Sequence, residues 1–241
     1  MNKKIPGISV IVPAFNEEKN IASCIKALKN QSLDSSFYEI IVVNNASTDK
    51  TALVAQKMGV RVVNELQKGY VFALDRGFRE AREEYVAITD ADTIVNKDWL
   101  KKIYEVFESD PKIGFVGGRS VWRPVVFLSI LAEFICLVTH VLFGLGNGFN
   151  MAAKRKVWEK AGGFRKEVNL SADSLLAIMA KKQEYKRVFL FNNPAVSSSR
   201  HFKGMIGLRY CLKAIINNFF LFFLGKPAFF EFGDVRETKK K

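Results

Sequence analysis

Residues 8–28, ISVIVPAFNEEKNIASCIKAL, decide the fold. The first half is a short β-branched run closed by Pro13, and the second places Ile21, Ile25 and Leu28 at the spacing of one helix face. That is a strand, a polar loop and a helix. YEIIVVNNAS repeats the order, with residues 40–43 as a fully buried strand and STDKTALVAQKMG as a helix entered through Ser47 or Thr48 as its cap. VRVVNE then supplies a third strand, YVFALDRGFREAREE a helix and YVAITDAD a fourth strand. Apolar strands alternating with helices predict an α/β fold, a mostly parallel sheet with helices on both faces. Ligands of such a sheet sit beyond the carboxyl ends of its strands. The polar loops FNEE, NNASTD and TDADT therefore gather on one rim.

Beyond residue 98 the pattern is less regular: a helix at 98–109, a strand at IGFVGGRS, an apolar segment at 125–146, GNGFNMAAKRKVWEKAGGF, and a helix at SADSLLAIMAKKQEY. This half reads as a substrate-side elaboration on the same sheet. The expected division is one domain over 1–210, with a nucleotide-binding half at 1–98 and an acceptor-side half at 99–210. An apolar and basic extension follows at 211–241.

Composition narrows the setting. A 241-residue chain that is 49% hydrophobic buries a substantial core, which excludes a disordered chain. Cys24, Cys136 and Cys211 are far apart and form no CxxC, so neither a disulfide framework nor a zinc site is indicated, and a reducing, cytoplasmic setting fits. The net charge of +13 predicts attraction to polyanions. Residues 181–241 hold 13 Lys/Arg against 4 Asp/Glu, beside the aromatic-rich AIINNFFLFFLGKPAFFEF. That pairing points to a membrane surface and away from nucleic acid. Residues 1–7 are short and basic with no small-residue cleavage site, so the start is expected to be mature protein. Segment 125–146 carries Glu133 and His140 and is expected to be a buried or interfacial helix, not a spanning one.

The two aspartates of YVAITDADTIV, Asp90 and Asp92, stand one residue apart at a strand tip. They form either a solvated strand-end turn or a carboxylate pair that holds a cation. Six segments in order bear on the choice: SVIVPAFNEEKNI, IIVVNNASTDKT, Lys68-Gly69 with ALDRGFREA, YVAITDADT, GNGFNMAAKRKVWEKAGGF and SADSLLAIMAKK. The series covers approximately residues 8–200. It resembles the inverting family-two glycosyltransferases of GT-A fold, among them the polyprenyl- and dolichyl-phosphate sugar synthases.

The resemblance implies a UDP- or GDP-sugar donor, Mg2+ or Mn2+, and a glycan or lipid-linked acceptor offering a hydroxyl or phosphate. It implies that Asp90 lies near the ribose or metal, that Asp92 ligates the metal directly, and that Ala91 borders the donor. Pro13, Ala14, Phe15, Asn16 and Glu17 match the first nucleotide-contacting loop. Asn44 and Asn45 fall where the family commonly has an aspartate and then an asparagine or aspartate, so Asn44 is a departure that leaves the base open. Lys68 suits a phosphate or base contact. Asp173 stands at the catalytic base, with Ala172 replacing the usual glutamate; Asp173 also suits a helix N-cap. Arg200 and His201 match a late basic motif, Arg200 toward phosphate and His201 toward metal or phosphate, and Asn150 borders the acceptor side.

Segments 125–146 and 214–230 are read as core packing or a homodimer interface, or else as a surface that docks peripherally on the cytoplasmic face of a membrane. The competing functions are a sugar nucleotidyltransferase, whose glycine- and basic-rich phosphate loop VPAFNEE lacks, and a non-catalytic sugar-nucleotide-binding protein.

Overall fold

The computed structural model describes residues 7–168, 172–202, 204–226 and 228. Its elements run β1 (Ile8–Ala14), α1 (Ile21–Lys29), β2 (Tyr38–Asn45), α2 (Thr51–Lys57), β3 (Arg61–Glu65), α3 (Tyr70–Glu80), β4 (Tyr85–Ile88) and the two-residue β5 (Ile94–Val95). There follow α4 (Trp99–Ser109), β6 (Ile113–Arg123), α5 (Phe127–Phe143), β7 (Met151–Lys154), α6 (Arg155–Lys160), α7 (Ala172–Lys182), β8 (Lys186–Ser198), a 3-10 turn (Ser199–Phe202) and α8 (Gly204–Leu224).

One eight-stranded sheet holds them in the order β3-β2-β1-β4-β7-β6-β8-β5. The first four strands are parallel, with Ile11 of β1 level with both Ile41 and Ile88. Then β7 enters antiparallel between β4 and β6, while β6 and β8 run parallel to each other. The sheet is therefore mixed, and its parallel part is the half expected to bind nucleotide. Successive residues of a strand face opposite sides, and β1 is buried along its whole length. Ile8, Val10 and Val12 join the core with Ile21, Cys24, Ile25 and Leu28 of α1 and with Trp99 and Ile103 of α4. Ile11 faces the other way, into Leu74 and Phe78 of α3 and Leu175 and Leu176 of α7.

The start of α2 differs from expectation. Helix α2 starts at Thr51, where Asp49 Oδ1 accepts the Thr51 N–H at 2.9 Å, so neither Ser47 nor Thr48 is its cap. Both are drawn to the neighbouring loop: Asn16 N–H donates to Ser47 Oγ at 3.1 Å, and Thr48 N–H donates to Asn16 Oδ1 at 2.8 Å. Residue 210, after which the apolar and basic extension is expected to begin, lies within α8.

Plain core packing also fails to account for the two apolar segments. Along α5, Phe127 (82% exposed), Ile130, Phe134, Leu137 and Val141 point outward, and along α8 so do Ile215, Phe219, Phe223 and Leu224. The rings of Phe143 and Phe223 join the two helices at 6.1 Å. Both polar residues of α5 are accommodated: Glu133 accepts from the Trp122 N–H and pairs with Arg123, and His140 packs on Phe189, where burial lowers its pKa to about 4. Among the described residues no helix is long and apolar enough to cross a membrane. Of segment 214–230, residues 227, 229 and 230 lie outside the described ones, as do 231–241.

The α3–β1 contact gives a stability test. Gly to Ala inside a helix ordinarily stabilises by up to about 1 kcal/mol, but a Cβ at Gly77 would lie 2.5 Å from Ile11 Cγ2. Gly77→Ala is expected to destabilise the chain by about 1–3 kcal/mol, measured by urea denaturation; a stabilised variant would contradict this packing.

Candidate active site

The rim forms because β1, β2 and β4 end side by side. The loop after β1 turns through Asn16, whose φ of 53° lies in the left-handed region, and the loop after β2 does the same at Ala46, φ 56°. Such conformations are costly for residues other than glycine and persist only where surroundings hold them. Here the two loops hold each other. Besides the Asn16 bonds, Glu17 N–H donates to Thr51 Oγ1 at 2.7 Å, Glu18 N–H to Asp49 Oδ2 at 3.1 Å, and Lys50 N–H to Glu18 Oε2 at 3.1 Å. Pro13 and Ala14 are the buried end of β1.

Asn45 at the end of β2 pins the next loop: its amide donates to Gln67 O at 2.7 Å and accepts from Gly69 N–H at 2.8 Å. That places Lys68, whose ammonium lies 4.5 Å from the Phe15 ring centroid. Asn44 Nδ2 donates to Asn64 Oδ1 at 2.9 Å, while its own Oδ1 is buried without a hydrogen-bond partner among the described residues.

The carboxylates converge beyond β4. Glu17 is 4% exposed and accepts from Asn20 Nδ2 at 2.8 Å and from Arg200 Nη1 at 3.0 Å. Arg200 Nη2 also bonds Glu17 Oε1 and reaches Asp92 Oδ2 at 3.0 Å. Ser197 Oγ donates to Asp92 Oδ1 at 3.2 Å. Asp90, by contrast, receives no side-chain hydrogen bond or ion pair from the described residues. Burial first, then repulsion from Asp92, Asp173 and Glu17, pushes its carboxyl up to about 8. Burial also holds Asp92 above the ordinary carboxylate range, against the pull of Arg200. Cys24 is buried beside this charge and remains a thiol, donating to Asp90 O at 3.4 Å. Ala91 is buried between the aspartates.

Asp173 enters from the other half, in the first turn of α7. Its Oδ1 accepts the Ser174 N–H at 2.8 Å and its Oδ2 the Gly148 N–H at 3.0 Å. Burial raises its pKa to about 6 against those bonds. Gly148 is confined from two sides: a Cβ there would lie 2.6 Å from Tyr70 Oη and 3.5 Å from Asp173 Cβ. Ala172, where the family has glutamate, is buried in the α3–α7 core.

Asn150 is 1% exposed and fully engaged, accepting from Trp99 Nε1 at 2.8 Å and donating to the Arg119 and Asn193 carbonyls. Its side-chain amide is spent on protein partners and fixes the segment that leads into β7. His201 follows Arg200 in the 3-10 turn, and its side chain lies outside the described residues. The structure thus brings Glu17, Asp90, Asp92, Asp173 and Arg200 together. It adds Ser47, Thr51, Ser197 and Gly148, for which the only signals were Ser/Thr-rich strand ends and a glycine-rich turn.

Among the described residues, no group of three or more His, Cys, Asp or Glu side chains is arranged to hold a metal ion. Asp90 and Asp92 nevertheless fit Mg2+ or Mn2+: hard oxygen donors, one of them without a side-chain partner among the described residues, suit an ion that takes its other ligands from diphosphate and water.

Comparison with known proteins agrees with this fold. The sequence pattern of Glycosyl transferase family 2 matches residues 9–169, leaving Asp173 and Arg200 beyond the matched range. The low-salt glycan biosynthesis hexosyltransferase Agl6 of Haloferax volcanii is 34% identical over 114 residues, which cover 47% of this chain and 28% of Agl6. A Methanococcus voltae protein named dolichyl N-acetyl-alpha-D-glucosaminyl phosphate 3-beta-D-2,3-diacetamido-2,3-dideoxy-beta-D-glucuronosyltransferase is 30% identical over 122 residues, 46% of this chain and 38% of that protein. The chain thus spans less than half the length of these relatives. Among solved structures, the mannosyltransferase PcManGT of Pyrobaculum calidifontis, in complex with GDP-Man and Mn2+, is similar with a TM-score of 0.72 at 24% identity, covering 89% of this chain and 63% of that one.

The buried carboxylates make stability depend on pH. Asp90 keeps its proton in the folded chain up to about pH 8, whereas an unfolded aspartate releases it near pH 4, so stability falls as pH rises through that window. Asp90→Asn should raise the melting temperature of the metal-free protein at pH 8, by about 2–4 °C per kcal/mol relieved, and flatten its pH dependence. An unchanged melting curve at pH 8 would contradict the crowding of charge at this position.

Proposed function

The chain belongs to glycosyl transferase family 2, and from that premise we propose that it transfers a sugar from a UDP- or GDP-sugar to an acceptor hydroxyl, with inversion at the anomeric carbon. The observation that carries this reading is the convergence of Asp90 and Asp92 at the tip of β4 with Asp173 at the start of α7, close enough for Asp173 to raise the Asp90 pKa.

Asp173 is the base. With a pKa of about 6 it is ionised at neutral pH yet basic enough to accept a proton. Its two backbone hydrogen bonds fix the carboxylate and leave each oxygen a further lone pair. It takes the acceptor hydroxyl proton as that oxygen attacks the anomeric carbon from the face opposite the leaving nucleoside diphosphate. Asp90 and Asp92 would hold Mg2+ or Mn2+, and a cation there supplies Lewis-acid stabilisation of the departing diphosphate. Arg200 and Lys68 bring positive charge to the same phosphates, Arg200 with a fork suited to two phosphate oxygens. Asn44 stands on the same rim at the end of β2, where an amide suits a base or ribose contact. The Mn2+ and GDP-Man of PcManGT support a metal and a nucleotide-sugar donor.

The acceptor is proposed to be lipid-linked. The outward rows of α5 and α8 carry large apolar side chains, with Arg209 and Lys226 exposed beside them, a combination suited to an anionic bilayer surface. The dolichyl phosphate in the name of the Methanococcus voltae relative agrees with such an acceptor. The chain would then work at the cytoplasmic face of a membrane, with residues 125–146 and 214–230 against lipid.

Two measurements test these assignments. Asp173→Asn should lower acceptor-dependent release of UDP or GDP by about 10²–10⁴-fold, and the wild-type rate should fall below about pH 6, as Asp173 takes up its proton and ceases to be a base. Unchanged turnover in the variant would remove Asp173 from the mechanism. In flotation with vesicles containing anionic lipid, the protein should rise with the vesicles, and Phe134→Glu with Phe219→Glu should leave it in the soluble fraction. Failure of the wild type to float, with a concentration-dependent dimer instead, would assign the apolar face to a second copy.

A further inference from the structure

The Glu17–Arg200–Asp92 chain of contacts implies more than phosphate binding. Arg200 stands in the 3-10 turn after β8, and its guanidinium crosses the rim to bond both Glu17 oxygens with Nη1 and Nη2. Nη2 also lies 3.0 Å from Asp92 Oδ2, and the second Asp92 oxygen is taken by Ser197. Both carboxylates are nearly inaccessible, with side-chain exposures of 4% for Glu17 and 6% for Asp92. Buried carboxylates need a compensating cation, and Arg200 provides it. A divalent ion bound to Asp92 would have to approach an oxygen on which a guanidinium already sits, and two cations on one oxygen repel. Asp90, which receives no side-chain hydrogen bond from the described residues, is open to a cation, whereas both Asp92 oxygens are engaged.

We propose that Arg200 is an exchangeable counter-ion: it holds Asp92 in the donor-free protein and gives it up when diphosphate arrives, moving its fork to the phosphate oxygens as the divalent cation takes Asp92. Donor and metal thereby bind as a coupled pair, each weak alone. The exchange rests on the metal-assisted transfer proposed above. It assigns Arg200 a positioning role toward Asp92 in addition to its charge.

Direct Mn2+ binding, by titration calorimetry or by the resonance signal of free Mn2+, tests the exchange without reference to activity. With Mn2+ alone, Arg200→Ala should bind the ion about tenfold or more tightly than wild type, the loss of one charge-assisted bond competing for Asp92. Arg200→Lys keeps the charge but not the fork, and should fall between the two. Added UDP or GDP should strengthen Mn2+ binding more in the wild type than in Arg200→Ala, because linkage makes the coupling reciprocal. Thermal melts of both variants establish that they are folded. Equal or weaker Mn2+ binding by folded Arg200→Ala, with normal binding by wild type, would overturn the exchange and leave the metal reading intact. No Mn2+ binding by any of the proteins, with or without UDP or GDP, would overturn both.

Discussion

The controlling constraint is the crowding of like charge at one end of the sheet. Parallel strands β1, β2 and β4 must end on the same rim, and with Ile11 level with both Ile41 and Ile88 their loops emerge together. Those loops carry Glu17, Asp90 and Asp92, and α7 delivers Asp173 to the same place. Water cannot relieve the repulsion, because burial is the largest contribution to the raised pKa of Asp90, Asp92 and Asp173 alike. Such a rim is relieved by a proton on Asp90, held up to about pH 8, and by positive charge brought to its other carboxylates. Arg200 supplies positive charge to Glu17 and Asp92.

Much of the remaining structure holds this arrangement in place. The left-handed turns at Asn16 and Ala46 are locked by reciprocal hydrogen bonds between their loops, so the strand ends cannot splay. On the far side, Asn150 ties Trp99 of α4 to the Arg119 and Asn193 carbonyls, fixing β7 against β6 and β8. The turn leading into β7 then offers Gly148 N–H to Asp173. Asp173, placed by one half of the chain, thus lies near carboxylates placed by the other. The inverting transfer proposed above rests on that arrangement, with attack and departure on opposite faces of the sugar carbon.

The first half was legible because its signals are local. β-branched runs, a 3.6-residue apolar stripe in α1 and polar strand ends are written in consecutive residues, and α1 buries Ile21, Cys24, Ile25 and Leu28 as that stripe requires. The aspartate pair and Asp173 were found through an ordered series of segments, not through any one of them. What stayed hidden depends on partners distant in sequence. Strand β7, MAAK, has little β propensity and is a strand because β4 and β6 flank it. Asn150 looked like an acceptor contact because nothing in GNGFN reveals that Trp99 and two carbonyls consume its amide. Ser47 looked like a helix cap because Asn16, its actual partner, lies 31 residues away.

If the rim is a site for a cation shared with diphosphate, crystals grown with Mn2+ and UDP or GDP should report it directly through anomalous scattering at the manganese edge. The account predicts one strong peak between the Asp90 and Asp92 carboxylates and the diphosphate, with the Arg200 guanidinium on phosphate oxygens and no longer on Asp92. A bound nucleotide with no manganese at these aspartates, and Arg200 still bridging Glu17 and Asp92, would contradict it.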